Sequence, residues 1–244
     1  MLPSVTIVAA DRAFLTAMRG YARSSAITSA ERVADAVRTS IDEGHLKPGE
    51  QVPEKELGIA LEYSRNTVRE GLSQLVNERL LTRRANRGVF VSQPNLRTVQ
   101  DVYRARRMIE PSAIKYAVID SGNVIADIRA AVDEAKKHAH EEDWLKVASA
   151  NQYFHRSIVR LSGSTRIIAQ MDLLLAEMRL IFHRMASVSE TAIAEFHEPY
   201  IRSNTEILES IEQGLMKQAA RQMVVYLEHA ETEVSVTYAS NGFS

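Results

Sequence analysis

The sequence predicts a mainly α protein in two parts: a head of three short helices and a β-hairpin, then an all-α antiparallel bundle. Three observations carry this. Apolar residues recur at helical spacing in three runs between Ser29 and Arg79. Two β-prone runs, Leu80-Leu-Thr-Arg-Arg84 and Val89-Phe-Val-Ser92, flank an Asn/Gly turn. Beyond Pro94-Asn95 almost no β signal remains, only helical periodicity. A chain of 244 residues is long enough for two modest domains or one large one. The expected division is an arm over 1–26, the head over 27–93 and the bundle over 97–240. Residues 1–26 are weakly patterned, either a mobile arm or a short helix around Phe14–Tyr21.

In the head, a helix starts at Ser29 with Glu31 in its first turn and Val33, Val37 and Ile41 on one face. Gly44 ends it, and Leu46-Lys-Pro-Gly49 turns the chain. Pro53 opens a second helix near its N1 position, with acids at the positive end, running to about Glu62. Ser64 is placed to cap a third, where Val68, Leu72, Leu75 and Val76 fall at i, i+4, i+7 and i+8. Arg65 and Arg69 lie one turn apart on it, beside Asn66 and Thr67. Taken alone, that helix is either an ordinary amphipathic surface helix or a reader of the DNA major groove, where Arg meets guanine and Asn or Thr meets other edges or phosphates. Its neighbours decide. Two helices joined by a short turn and followed by an arginine-bearing hairpin form a winged helix-turn-helix, with Arg87-Gly88 at the wing tip.

Net charge is −1, so any nucleic-acid contact must rest on local charge. Between Ser64 and Gly88 six arginines face only Glu70 and Glu78. The absence of cysteine excludes disulfides, thiolate catalysis and Cys-type metal sites, and fits a reducing cytosol. No run reaches the roughly 18 apolar residues that span a membrane. Val5-Thr-Ile-Val-Ala-Ala10 is too short and lacks a basic flank before it. The expected location is the cytoplasm.

Residues 29–92 resemble the winged-helix domain of the GntR family of bacterial transcription regulators. Gly44-His-Leu-Lys-Pro-Gly49, Glu56-Leu57, Ser64-Arg-Asn-Thr-Val-Arg-Glu70, Leu75, Leu80 and Gly88-Val-Phe-Val91 carry the likeness. It implies DNA contacts from Ser64, Arg65, Asn66, Thr67 and Arg69 on the recognition helix, Lys55 on the helix before it, and Arg87 and Gly88 on the wing. Two positions depart from the family pattern. Arg79 stands where glycine is usual after the recognition helix, which costs about 1 kcal/mol if the site is left-handed. Gly71 replaces a helix-favouring alanine, at a further cost of about 1 kcal/mol.

Six helices are expected beyond the boundary: about 97–120, 124–141, 143–162, 165–187, 190–213 and 215–238. Val102, Ala105, Ile109 and Ala113 form an inward stripe on the first, and Trp144, Leu145, Ala148 and Tyr153 line part of the third. This half resembles the FCD ligand-sensing domain through Tyr103-Arg-Ala-Arg-Arg-Met-Ile-Glu-Pro111, Phe154-His155, Leu161-Ser162 and the run from Ile207 to Met223. Six helices suit its VanR-like branch, seven its FadR-like branch.

The resemblance implies a divalent metal held by one Asp and three His. At those positions this chain carries Asn151, His155, Asn204 and Tyr226, so one ligand of four remains. Neutral amides and an un-ionised phenol are poor ligands for such ions. No metal or other cofactor is expected, although a rearranged site using His183 or His197 is an alternative. The same four residues make a polar patch. It is either an effector pocket or a decayed site whose groups satisfy each other or hold a buried water. Arg106 is implied to face the cavity and pair with a carboxylate; its alternative is an intrahelical pair with Glu110. Arg107 is expected to face solvent.

The sequence therefore predicts a DNA-binding homodimer, a repressor whose grip on a palindromic operator is modulated by a small carboxylate bound at Arg106, Asn151, His155, Asn204 and Tyr226 without a metal. A bundle that only dimerises and senses nothing is the alternative. An enzyme using His155 as a base has no supporting motif.

Overall fold

The computed structural model of the chain describes residues 28–118, 122–187 and 192–243. The arm expected over 1–26 lies outside them. Two compact units divide between Gln93 and Pro94.

In the first unit α1 (Ser29–Asp42) is opened by Thr28, whose hydroxyl accepts from the Glu31 N–H (3.2 Å) while Glu31 Oε2 accepts from the Thr28 N–H (2.7 Å). This reciprocal cap satisfies two donors that the first turn would otherwise strand. The short α2 (Glu54–Leu61) follows, with Pro53 as its cap residue, and it ends at Glu62 in the left-handed region (φ 60). Ser64 then caps α3 (Arg65–Asn77), and Val68, Leu72 and Leu75 are fully buried along its inner face; Val76, at its edge, is only partly covered. Strands β1 (Leu81–Arg84) and β2 (Gly88–Val91) pair antiparallel from Leu81↔Val91 to Arg84↔Gly88. The segment before α2 adds a short third edge: the Val52 N–H donates to Val89 O and the Val91 N–H to Glu50 O, each at 2.8 Å. The wing is thus fastened to the body of the head.

Two departures from the family pattern are explained here. Arg79 does adopt φ 60, so the site after α3 is left-handed and carries the strain expected of a non-glycine residue. Gly71 is not a defect. A Cβ there would stand 2.5 Å from Ala30 O and 2.8 Å from Val33 Cβ. The bare backbone of α3 therefore lies directly against α1, and glycine's low helix propensity is the cost of that approach.

The second unit contains α4 (Leu96–Lys115), α5 (Gly122–His140), α6 (Trp144–Arg160), α7 (Thr165–Ala186), α8 (Ala192–Glu212) and α9 (Met216–Ser240). α4 stops five residues short of its expected end, because the Val118 N–H leaves the helical ladder and donates to Leu161 O at the end of α6 (2.9 Å). Val99, Tyr103, Phe154, Ile158, Ile181 and Tyr238 are among the residues of the shared core. The exit from the boundary is pinned within this unit: the Leu96 N–H donates to Phe243 O (3.0 Å), and Arg184 donates to Pro94 O (2.8 Å) with its guanidinium over the Phe243 ring.

Three expectations about faces are corrected. Leu145 (68% exposed) and Tyr153 (41%) point outward. The buried stripe of α6 runs through Val147, Asn151, Phe154, His155 and Ile158, so its two polar members hid it from a search for apolar spacing. Arg107 is half-buried and pairs with Glu231 across to α9. Within the first stripe, Val102 and Ala113 are buried, while Ala105 and Ile109 are only partly covered. Among the described residues no helix is long and apolar enough to cross a membrane.

Gly71→Ala tests the close approach. Helix propensity alone makes it stabilising by about 1 kcal/mol, whereas the contact with the α1 backbone makes it destabilising by about 2 kcal/mol. Urea denaturation of the variant gives the sign.

Candidate DNA interface and bundle core

The head presents the amino end of α3 to solvent. Ser64 Oγ accepts from the Thr67 N–H (3.2 Å) and lies 2.9 Å from Thr67 Oγ1, so these hydroxyls first fix where the helix begins. Arg65, Asn66 and Arg69 are exposed beyond them, and Lys55 is exposed on α2. The first turn of α3 holds no acid. Helix dipole and arginine thus add at one end, an arrangement completed by an anion such as a phosphate. At the other end Arg38 of α1 donates through Nη2 to both oxygens of Glu78 (2.9 and 3.1 Å), clamping the tail of α3.

The wing residues are placed by a group that sequence reasoning missed. Gln51 Nε2 donates to Arg87 O (2.8 Å), and Gly88 at φ 96 leaves room for that amide; a Cβ would come to 3.0 Å from it. Arg87 projects from the fastened tip, exposed. Arg84 stacks over Phe90 (4.3 Å to the centroid), and Arg83 donates to Ser73 of α3 (3.3 Å).

Within the bundle the structure brings Arg106, Asn151, His155, Asn204 and Tyr226 into one buried network and adds a member, Glu110. Arg106 Nε donates to Glu110 Oε1 (2.7 Å), and His155 Nδ1 lies 2.6 Å from Glu110 Oε2. His155 Nε2 is 3.0 Å from Tyr226 Oη, which is 3.2 Å from Asn151 Oδ1, and Asn204 Nδ2 donates to that same oxygen (2.7 Å). Arg106 thus makes the intrahelical pair with Glu110 while buried. The i, i+4 spacing shows that pair in the sequence; the reach of Glu110 to a histidine 45 residues on leaves no local signal.

Electrostatics follow from burial. Burial pushes the Glu110 carboxyl up, but Arg106 and His155 together outweigh it and hold the pKa below the ordinary value. Burial lowers the His155 pKa against the pull of Glu110, and Arg106 lowers it further. His155 Nδ1 donates to the carboxylate, and the Tyr226 hydroxyl, which burial keeps protonated, donates to Asn151 Oδ1 while lying against His155 Nε2. Among the buried polar atoms of the described residues that have no hydrogen-bond partner are Arg106 Nη2, Asn204 Oδ1 and both ring nitrogens of His197. His197 is 1% exposed among Phe182 and Phe196, and burial, with a smaller contribution from His155, takes its pKa down to about 3.

These side chains do not fit a divalent metal. Both nitrogens of His155 are engaged, Asn151 Oδ1 already accepts from Asn204, and the phenol retains its proton. Among the described residues no three His, Cys, Asp or Glu side chains are grouped to hold one, and His183 and His197 do not form such a group.

Comparison with known proteins agrees with both halves. "Bacterial regulatory proteins, gntR family" matches residues 29–91, and the FCD domain matches residues 101–229. A crystal structure assigned to a transcriptional regulator GntR from Rhodococcus sp. RHA1 is 33% identical, covers 84% of this chain and 96% of that one, and superposes with a TM-score of 0.77. The "Nta operon transcriptional regulator" of Aminobacter aminovorans is 30% identical over 128 residues, 51% of this chain; the matched part spans only 59% of that protein. The "Probable D-xylose utilization operon transcriptional repressor" of Paenarthrobacter nicotinovorans is 26% identical over 216 residues, 88% of this chain and 91% of that one.

The buried histidines predict how stability responds to pH. A histidine whose folded pKa lies below its unfolded value is stabilising in full above about pH 6.5, and that contribution is lost as pH falls from there. His197 acts this way down to about pH 3, and Glu110, held low, adds its own loss in the acid range. Urea unfolding of the bundle at a series of pH values from 7 to 4 should show falling stability, with a shallower fall for His197→Leu. Equal slopes would exclude a buried neutral His197.

Proposed function

The chain belongs to the GntR family of bacterial regulatory proteins and carries its FCD domain; on that basis we propose a homodimeric transcriptional repressor that releases a palindromic operator when a small carboxylate enters the bundle. DNA-binding regulation, and not enzymatic chemistry, is the activity of the family. The observation that supports DNA reading in this chain is the exposed amino end of α3, whose first turn holds no acid and which carries Arg65, Asn66 and, one turn on, Arg69. One such helix reads few base pairs, so a two-fold pair of heads on a palindrome supplies the needed specificity. Such a regulator works in the cytoplasm, where its operator is.

Effector sensing is supported by the unpartnered Arg106 Nη2 and Asn204 Oδ1, both buried. Each stranded polar atom costs about 1–3 kcal/mol, and a ligand carboxylate with a neighbouring hydroxyl or N–H matches the two. Asn151, His155 and Tyr226 would line the same site. The ligand is taken without a metal, since the donors present are amides, a phenol and an engaged imidazole. A second reading has its own support: Glu110 already pairs with His155, and Asn151 already accepts from Asn204, as they would in a bundle that only holds the dimer together.

Mobility-shift assays on the DNA upstream of the chain's own gene test the head. Binding should weaken with salt and drop roughly tenfold or more for Arg65→Ala and for Arg69→Ala; variants that match wild type would remove α3 as the reader. For the bundle, short carboxylic acids are titrated into the operator complex. Release by wild type that Asn204→Leu blunts supports sensing, whereas no release by any acid favours the structural reading. Elemental analysis of dialysed protein should find no stoichiometric zinc, nickel or manganese.

A further inference from the structure

The two arginines of α3 are not in equivalent surroundings. Arg65 has no ion pair among the described residues, while Arg69 Nε lies 3.7 Å from Glu54 Oε2. Glu54 is the first residue of α2, and Pro53 before it gives that helix end no side-chain cap. The positive end of α2 therefore favours the carboxylate where it stands. Glu54 is also the better covered of the pair, its side chain 28% exposed against 66% for Arg69. The better-covered anion thus sits beside an exposed cation.

Which edge of the guanidinium it meets decides what that does. Contact through Nε leaves the Nη1/Nη2 fork unused, and that fork matches the O6 and N7 acceptors of guanine. A phosphate needs only charge, and a carboxylate alongside weakens the pull of Arg69 on phosphates everywhere along the duplex. A base edge needs direction, and charge attraction that draws the Nε side toward Glu54 leaves the fork on the outer side. We propose that Glu54 is a positioning residue for base reading: it holds Arg69 by its Nε edge, turns the fork toward a guanine in each half-site and withholds this arginine from the phosphate backbone. This rests on α3 being the DNA reader. As an exposed ion pair, Glu54–Arg69 contributes little to folding, so its removal leaves the head intact.

The experiment selects randomised duplex DNA with the full-length wild type, Glu54→Gln, Arg69→Lys and the double variant. Affinities for the enriched sequence and for a scrambled duplex are then measured over a range of salt. Wild type should enrich a half-site containing a guanine whose replacement costs roughly tenfold, and Arg69→Lys should lose that preference. Glu54→Gln should bind scrambled DNA severalfold more tightly, with a salt slope steeper by about one per protomer, and should discriminate the guanine severalfold less. The double variant should show no further loss at that base. The proposal is overturned if Glu54→Gln changes both affinities by one common factor with the guanine preference intact, or if Arg69→Lys leaves the enriched motif unchanged. Failure of wild type to enrich any motif is a different result: it removes α3 as reader, and this inference falls with it.

Discussion

The bundle depends on one buried carboxylate. Glu110 is fully inaccessible, and an isolated charge there would be untenable. It persists because both oxygens are occupied, one by Arg106 a turn earlier on α4 and one by His155 on α6. From His155 the network passes to Tyr226 on α9 and, by way of Asn151, to Asn204 on α8. Four helices are joined by a chain whose charges balance at Arg106 and Glu110. Removing either partner strands the other, which is why a buried pair of this kind is costly to break even when its net contribution to stability is small.

The head has a different logic, with steric contact in the leading part. Gly71 brings the α3 backbone against α1, Arg38 grips Glu78 at the tail, and Ser64 fixes the first turn. These three contacts set the direction of α3 without using any side chain on its solvent face. Among the described residues Arg65 and Asn66 are exposed with no side-chain ion pair, and the Arg69 guanidinium lies against Glu54.

Much of this was legible in the sequence, and the exceptions share a cause. Helix starts were visible because caps such as Ser64 act on backbone two or three residues away. The hairpin was visible because its turn chemistry is local, and Arg106–Glu110 because i, i+4 neighbours share a helix face. The missed features are non-local. Gly71 read as a weak helix residue because the α1 backbone it accommodates is some forty residues earlier. The inner face of α6 was mistaken because Asn151 and His155 belong to it, and periodicity counts only apolar members. Glu110 was legible as a partner of Arg106 but not as the link to α6, and Gln51 as the anchor of the wing had no local pattern at all.

The polar network also occupies the positions where the resemblance to the FCD domain implies a metal. Asn151, His155, Asn204 and Tyr226 lie on α6, α8 and α9, so a metal at those positions would tie the three helices together. Here hydrogen bonds among the same positions tie them, with Glu110 extending the link to α4. The substitution changes the energetic scale. A metal–ligand cross-link resists rearrangement, whereas amide and phenol contacts exchange partners at about 1 kcal/mol each. Coupling between a sensing site and a distant reader needs only about 1–3 kcal/mol of difference between two states. In the proposed regulator, a ligand that pairs Arg106 Nη2 and Asn204 Oδ1 would act on this scale, through hydrogen bonds that exchange partners and without displacing an ion.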